Sequence, residues 1–311
     1  AAQEAVEKMR TDSAALFFNH LSGTSESVTL KNEYLEVVFD TKGAALKEAT
    51  ILSGSGIKTG KPVQIADASN QLYMMLSGKH DNIDTRNYYF TPTGKTDSTV
   101  TMRLAHADGA TFHVEYKLHP QSYMLDINVR ASQMGKYFEP GTNTMYLQWQ
   151  KDAKMLEKGF DFENNYCNIT YKEKGEGTDN LSETGNDKEE PAAALDWIAF
   201  KNQFFSCILI GHQDFTNATL ESTIEQKPNS PVRYEAVLKH YAASMQTAFD
   251  ASGSQATQMQ MYIGPNDFHL LKETNKMGTV KTDLDLEDII YFGWPLFKWI
   301  NRFFILYLFD W

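Results

Sequence analysis

Cysteine is almost missing from this sequence. Cys167 and Cys207 are the only two in 311 residues, which excludes a disulfide-dense scaffold and any cysteine-rich zinc site. Cys207 lies in Phe204-Phe205-Ser206-Cys207-Ile208-Leu209-Ile210 and reads as a small buried hydrophobe. An oxidising compartment would permit a bond between the pair, but nothing in their spacing requires one. A basic stripe is missing as well: the formal net charge is -11, so no nucleic-acid partner is expected. Catalytic signatures are also lacking, with no glycine-rich phosphate loop, no His-Glu-x-x-His and no Gly-x-Ser-x-Gly. His106, His113 and His119 fall in neighbouring strand-like stretches at spacings that match no ligand set. No catalytic residue, metal or cofactor is therefore expected, and no small-molecule substrate. The chain opens at Ala1 without a charged and apolar targeting segment, which reads as the start of a fragment.

Period-two alternation is abundant. Phe112, Val114, Tyr116 and Leu118 alternate with Thr111, His113, Glu115 and Lys117, the pattern of an antiparallel strand with one buried face and one wet face. Similar stretches are predicted over residues 28–30, 35–39, 46–52, 72–76, 88–91, 99–104, 123–131 and 145–150. After residue 191 they resume over 195–200, 204–211, 216–224, 232–240 and 258–263. Turn signals such as Pro92-Thr93-Gly94 and Ala107-Asp108-Gly109 separate them, and no long helical pattern intervenes, which argues against a parallel βαβ fold. The fold class expected is all-β, a continuous antiparallel sandwich of many strands.

Three stretches depart from this rhythm. Residues 1–27 begin with the helical spacing of Val6, Met9, Ala14, Phe17 and Leu21 and are predicted to form an N-terminal helical tether. Residues 172–191 are charged, glycine-rich and nearly free of apolar side chains, and are predicted to be a mobile acidic loop within a 28–275 sandwich domain. A short helix is expected over 268–273, and 276–311 form a linker and a C-terminal amphipathic helix.

That last segment is the most unusual part of the chain. An uninterrupted apolar run of about 20 residues, the length a bilayer core needs, does not occur there. Lys298, Asn301 and Arg302 interrupt it at i, i+3 and i+4, on one helical face. Trp294, Phe297, Trp299, Ile300, Phe303 and Phe304 surround them. Cationic residues on one side, with Trp and Tyr rings flanking an apolar face, fit a helix lying in a membrane interface. Packing into the core or against a partner, and the start of a true span, are the other coverings such a surface allows.

Four stretches, in order, resemble the large periplasmic domain of the YidC family of bacterial membrane protein insertases. Leu30 to Gly43 is similar to an early strand pair with a Thr-Lys-Gly-Gly turn, with Ala44 at the second glycine. Asp196-Trp197-Ile198-Ala199-Phe200-Lys201-Asn202-Gln203-Phe204-Phe205 is similar to Gly-Trp-x-Ala-x-x-x-x-Tyr-Phe, with Asp196 for glycine and Phe204 for tyrosine. Tyr262-Ile263-Gly264-Pro265-Asn266 is similar to Tyr-x-Gly-Pro-Lys, and Tyr291-Phe292-Gly293-Trp294 to the segment that opens a helix at the membrane surface. Gly43, Trp197, Phe205, Tyr262, Gly264, Pro265 and Gly293 are read as structural: glycines for turns, aromatics for core filling, Gly-Pro to end a strand.

The resemblance implies a β-supersandwich of galactose-mutarotase-like type, set between the first and second transmembrane helices of a multi-pass protein at the periplasmic face of the bacterial inner membrane. It implies assistance in inserting and folding membrane proteins, alone or with the Sec translocon. Its partners would then be the membrane surface, nascent membrane proteins and translocon components. The family's hydrophilic groove belongs to a later membrane-embedded core, so no catalytic residue carries over to this chain. Two other readings stay open at this level: a carbohydrate-binding or carbohydrate-active sandwich, and a chaperone-like peptide binder using a strand edge.

Overall fold

The computed structural model describes residues 15–53, 61–80, 82–157, 159–227, 236–274, 281 and 284–290. Alternation in Ser27–Lys31 (β1), Leu35–Asp40 (β2) and Ala45–Ile51 (β3) buries Val28, Leu30, Leu35, Val37 and Phe39. With Val63–Ala66 (β4) these strands form a four-stranded antiparallel sheet in the order β1-β2-β3-β4.

The second sheet has fourteen strands. Its first half supplies Gln71–Leu76 (β5), Ile83–Asp84 (β6), Thr91–Thr93 (β7), Thr99–Ala105 (β8), Thr111–Leu118 (β9), Met124–Ser132 (β10) and Thr144–Lys154 (β11). A short helix, Phe160–Asn164 (α1), leads to Asn168–Glu173 (β12), Thr178–Asn180 (β13), Asp187–Glu189 (β14) and Leu195–Lys201 (β15). Phe205–Ile224 (β16), Val237–Ala248 (β17), Thr257–Pro265 (β18) and the helix Phe268–Thr274 (α2) follow. The main path runs β6-β5-β11-β17-β16-β18-β10-β9-β8-β7. β14 and β15 also pair with β16, β12 with β15, and β13 with β12. The architecture is an all-β antiparallel supersandwich.

β16 joins its two halves. Residues Phe205 to Gly211 pair with β15 and β18, whereas Thr216 to Ile224 pair with β17 and β14. The pairings of both halves shift register around residues 211–219, where Asn217 adopts a positive φ of 48°. Sequence alternation breaks there and predicts two strands; the strand instead continues through the irregularity, changing partners as it goes.

One core spans both sheets. The Trp149 and Phe200 rings stack with centroids 3.7 Å apart, and Tyr241 lies 5.2 Å from Phe200. Near the N-terminus, Ala15, Leu16, Phe17 and Leu21 are buried around a single 3-10 turn, Phe18–His20. Of the tether expected over 1–27, residues 1–14 lie outside the described residues. His20 holds this turn in place: its Nδ1 lies 2.8 Å from the Tyr89 carbonyl, and its Nε2 accepts from the Ala105 N–H at 3.1 Å.

The stretch 172–191 is not one continuous loop. Lys172 pairs with Thr178 across a tight turn, and Asp187 to Glu189 pair with Leu220 to Ser222. Edge strands need backbone partners rather than apolar side chains, so a polar segment without alternation still joins the ladder. The strand expected over 88–91 is displaced in the same way: a 3-10 turn, Thr85–Asn87, capped by the Asp84 carboxylate accepting from the Arg86 N–H, precedes β7.

Candidate functional site

β15 is buried on both faces. Successive side chains of a strand point to opposite sides, so Phe200, stacked on Trp149, and Trp197, three positions earlier, face opposite ways. The second face needs a cover. Residues 284–290 return to the sandwich with Leu284, Leu286 and Ile289 buried, beside α2 and its buried Leu271. Full burial of such side chains is worth about 1.5–3 kcal/mol each. The indole N–H of Trp197, itself fully buried, donates to the Leu284 carbonyl at 2.7 Å and so fixes where this segment lies.

Charged side chains frame the seat. Lys281 Nζ donates to Asp196 at 2.6 Å and to Asp214 at 2.5 Å, and Lys174 reaches the other oxygen of Asp214 at 2.6 Å. Burial pushes the Asp214 carboxyl up, but the hydrogen bonds from Lys174 and Lys281 outweigh it and hold the group below the usual carboxylate range. On the other side, the buried Lys172 donates to Asp285 at 2.5 Å, and Asp285 takes a left-handed conformation with φ 48° as the chain enters its 3-10 turn, Leu286–Ile289. Asp196 stands where the resembled motif has glycine, and its carboxylate has a cation to bind.

The other motif residues within the described part of the chain hold defined contacts. Tyr262 and Gly264 share one face of β18, and the Tyr262 hydroxyl donates back to the Pro265 carbonyl at 2.7 Å, laying the ring over Gly264. A Cβ at Gly264 would stand 2.7 Å from that ring and 2.9 Å from Tyr123, so any larger residue would force the two rings to shift. Asn266, in the place of a lysine, donates to the Asn202 and Gln203 carbonyls and accepts from the Ser206 hydroxyl, closing the turn before the buried Phe205. Gly43 sits at φ 79° and donates its N–H to the Tyr88 carbonyl at 2.9 Å, followed by Ala44 at φ 52°.

Gly293 and the whole membrane-interface set (Trp294, Phe297, Lys298, Trp299, Ile300, Arg302, Phe303 and Phe304) lie outside the described residues. The described part of the seat runs as far as Ile290. Sequence reasoning singled out Trp197 but missed Lys172, Lys281, Asp214, Asp285 and Leu284 as a group. Their partners are 40 to 113 positions apart, and no local pattern announces such pairs.

Elsewhere the titratable groups serve the fold. His119 bonds Asp126 at 2.8 Å and His106 bonds Asp108 at 2.8 Å, and among the described residues no group of three or more His, Cys, Asp or Glu side chains is arranged to hold a metal ion. Cys167 and Cys207 are free and buried, and burial pushes the Cys167 thiol up to about 12, so neither is a reactive thiolate at neutral pH. No helix among the described residues is long and apolar enough to cross a membrane.

Comparison with known proteins places these features in context. Residues 27–307 match the family described as the YidC periplasmic domain. The membrane protein insertase YidC of Phocaeicola vulgatus is 41% identical over 311 residues, covering 100% of this chain and 49% of that protein. Its counterpart from Bacteroides fragilis is 36% identical over 307 residues, covering 98% and 48%. The chain thus spans about half the length of these relatives. Among solved structures, an α-N-acetylgalactosaminidase from Bifidobacterium bifidum, in a GalNAc complex, aligns with a TM-score of 0.51 at 10% identity over 80% of this chain and 38% of that one, a likeness of fold alone. A galactose mutarotase-like protein from Lactobacillus casei aligns with a TM-score of 0.45 at 12% identity, over 77% of this chain and 100% of that one.

Proposed function

Since the chain belongs to the YidC periplasmic-domain family, we propose that it is the extramembrane platform of an inner-membrane protein insertase, on the periplasmic side, and that its C-terminal segment anchors the sandwich at the membrane surface. The observation that carries this reading is the match over residues 27–307, which runs through the sandwich, the seat and most of the aromatic segment of a family whose relatives are named as insertases. The seat supports it. Trp197, Lys172 and the Asp196–Lys281–Asp214 cluster fix residues 284–290 on the sandwich, so an amphipathic helix beginning a few residues later would hold the domain at a set orientation to the bilayer. The 1–27 tether, the 28–275 sandwich and the 276–311 anchor are the parts of this arrangement. Its partners are the lipid surface, nascent membrane proteins and components of the Sec translocon, and its contribution is positioning and chaperoning rather than covalent catalysis.

Co-sedimentation with anionic liposomes tests the anchor. The 311-residue chain should pellet with lipid, and a chain ending at Ile290 should stay in the supernatant with its thermal unfolding unchanged. Equal sedimentation of both, or saturable binding of a simple sugar at micromolar concentration, would overturn the reading in favour of a carbohydrate-directed sandwich.

A further inference from the structure

On the outer face of the large sheet, β8, β9 and β10 bring Arg103, His113 and Arg130 into one cross-strand row. The alternation that buries Phe112 and Val114 turns His113 outward, partly buried between two exposed arginines. Neighbouring strands stand about 4.8 Å apart, so the two arginine backbones are about 10 Å from one another with the imidazole between them.

Like charges set side by side in a sheet oppose folding, and here no carboxylate relieves them. Of the three arginines among the described residues, Arg86 is held by Asp84 at 2.6 Å, whereas Arg103 and Arg130 meet no carboxylate there. Arg130 Nη1 donates to the Gly253 carbonyl at 3.3 Å; the Arg103 guanidinium and the His113 ring make no hydrogen bond among the described residues. Burial, and next the fields of Arg103 and Arg130, hold His113 below its ordinary pKa. The smaller field of Glu115, two positions along β9 on the same face, acts against them. A cluster of this sign stands out on a chain of net charge -11.

The chemistry of the row selects its occupant. Two guanidinium forks and a ring nitrogen, offered from three strands, suit an anion with three or more oxygens, whereas a single fork already fills a carboxylate. Its place in the fold selects the source. Ala105, two positions along β8 from Arg103, donates its N–H to His20 in the 3-10 turn at the start of the described chain. β15 begins at this same end of the sheet, where Asp196 and Asp214 hold Lys281. The N-terminal turn and the segment that leads into the seat therefore share the end of the sandwich that carries the row.

We propose that Arg103, His113 and Arg130 form a clamp for the phosphate of an anionic phospholipid headgroup, so that the sandwich touches the bilayer at a second place besides its aromatic segment. The proposal rests on the platform reading for the source of the phosphate. Two arginines are too few to hold the chain at a surface alone, but each adds severalfold to the affinity for an anionic bilayer.

The probes are vesicles of phosphatidylcholine, the same vesicles with about 30% phosphatidylglycerol to make the surface anionic, a soluble short-chain phosphatidylglycerol, and inorganic phosphate. The 311-residue chain should bind the mixed vesicles at least about tenfold more tightly than the neutral ones. Joint Arg103→Gln and Arg130→Gln substitution should remove that gain and leave binding to neutral vesicles unchanged. Thermal unfolding checks this double variant, which should be no less stable than the parent because repulsion is relieved. In NMR, short-chain phosphatidylglycerol should shift the His113 ring signals saturably and make the ring titrate at higher pH, since a bound anion favours its protonated form.

An equal gain on mixed vesicles in the folded double variant, or a His113 ring that ignores the short-chain lipid, would overturn the clamp. Inorganic phosphate that moves His113 equally well, with no gain on mixed vesicles, would make this a site for free phosphate and overturn the lipid assignment. Neutral vesicles separate the two readings. A chain that ignores them but keeps an arginine-dependent gain on mixed vesicles removes the aromatic anchor alone, and binding to both vesicles without a gain removes the clamp alone.

Discussion

The indole nitrogen of Trp197 and the carbonyl oxygen of Leu284 are joined by a 2.7 Å hydrogen bond across 87 positions of sequence. Trp197 stands on the face of β15 away from the Trp149–Phe200 stack, so the same residue that fills the outer layer also fixes the path of the chain toward its aromatic C-terminal segment. Core packing and the exit of the chain are therefore coupled through one side chain.

Trp197→Phe should keep most of the buried ring surface and leave the Leu284 carbonyl without its donor. A buried acceptor left unpaired costs about 1–3 kcal/mol. Chemical denaturation should register that loss, and hydrogen exchange should show faster exchange at the amides of Leu286–Ile289 than elsewhere in the sandwich.

Acid should loosen the seat. Asp214 has a carboxyl held below its ordinary value, so its contribution is fully present above the unfolded value near 3.9 and is lost as pH falls through the lower folded value. Asp214→Asn should be less stable than the parent at pH 7, and the difference should shrink as pH drops below about 4. Thermal unfolding across that interval measures it; a constant difference would show that Lys174 and Lys281 do not stabilise the ionised form.

His240 acts in the opposite direction. Its Nε2 meets the Glu225 carboxylate at 2.9 Å and its Nδ1 meets Asp152 at 2.7 Å; the bond to Glu225, with the one to Asp152, raises its pKa against partial burial. The stabilisation is complete below the unfolded value near 6.5 and is lost as pH rises through the higher folded value. His240 is nearly half exposed, so solvent screening limits the effect to about 1 kcal/mol or less. His240→Gln should unfold at lower temperature than the parent at pH 6 and at nearly the same temperature at pH 9.

Gly264→Ala places a methyl group against the Tyr262 and Tyr123 rings, where 2.7 and 2.9 Å are too close for any carbon contact. Overpacking of this kind costs about 1–3 kcal/mol. A lowered unfolding midpoint with an unchanged denaturant slope is the expected result, since the fold persists and only its stability changes.

The sequence alone determined the class of this protein. Alternation in stretches such as 111–118 and 258–263 specifies strands wherever one face meets apolar atoms and the other meets water, because a one-residue slip would turn every side chain to the wrong side. The order of its four motifs also identified the family, and single residues such as Gly264 and Trp197 stood out because their size or conformation is unusual for a strand. Tertiary structure decided what has no local signature. The polar strands β13 and β14 form because neighbouring backbone needs partners, the register shifts in β16 accompany a change of partner, and Lys281 finds Asp196 across 85 positions of sequence. The place of β4 at the margin of its sheet among the described residues arises in the same way, since whether a strand lies inside a sheet or at its margin depends on where distant segments settle and not on its own residues.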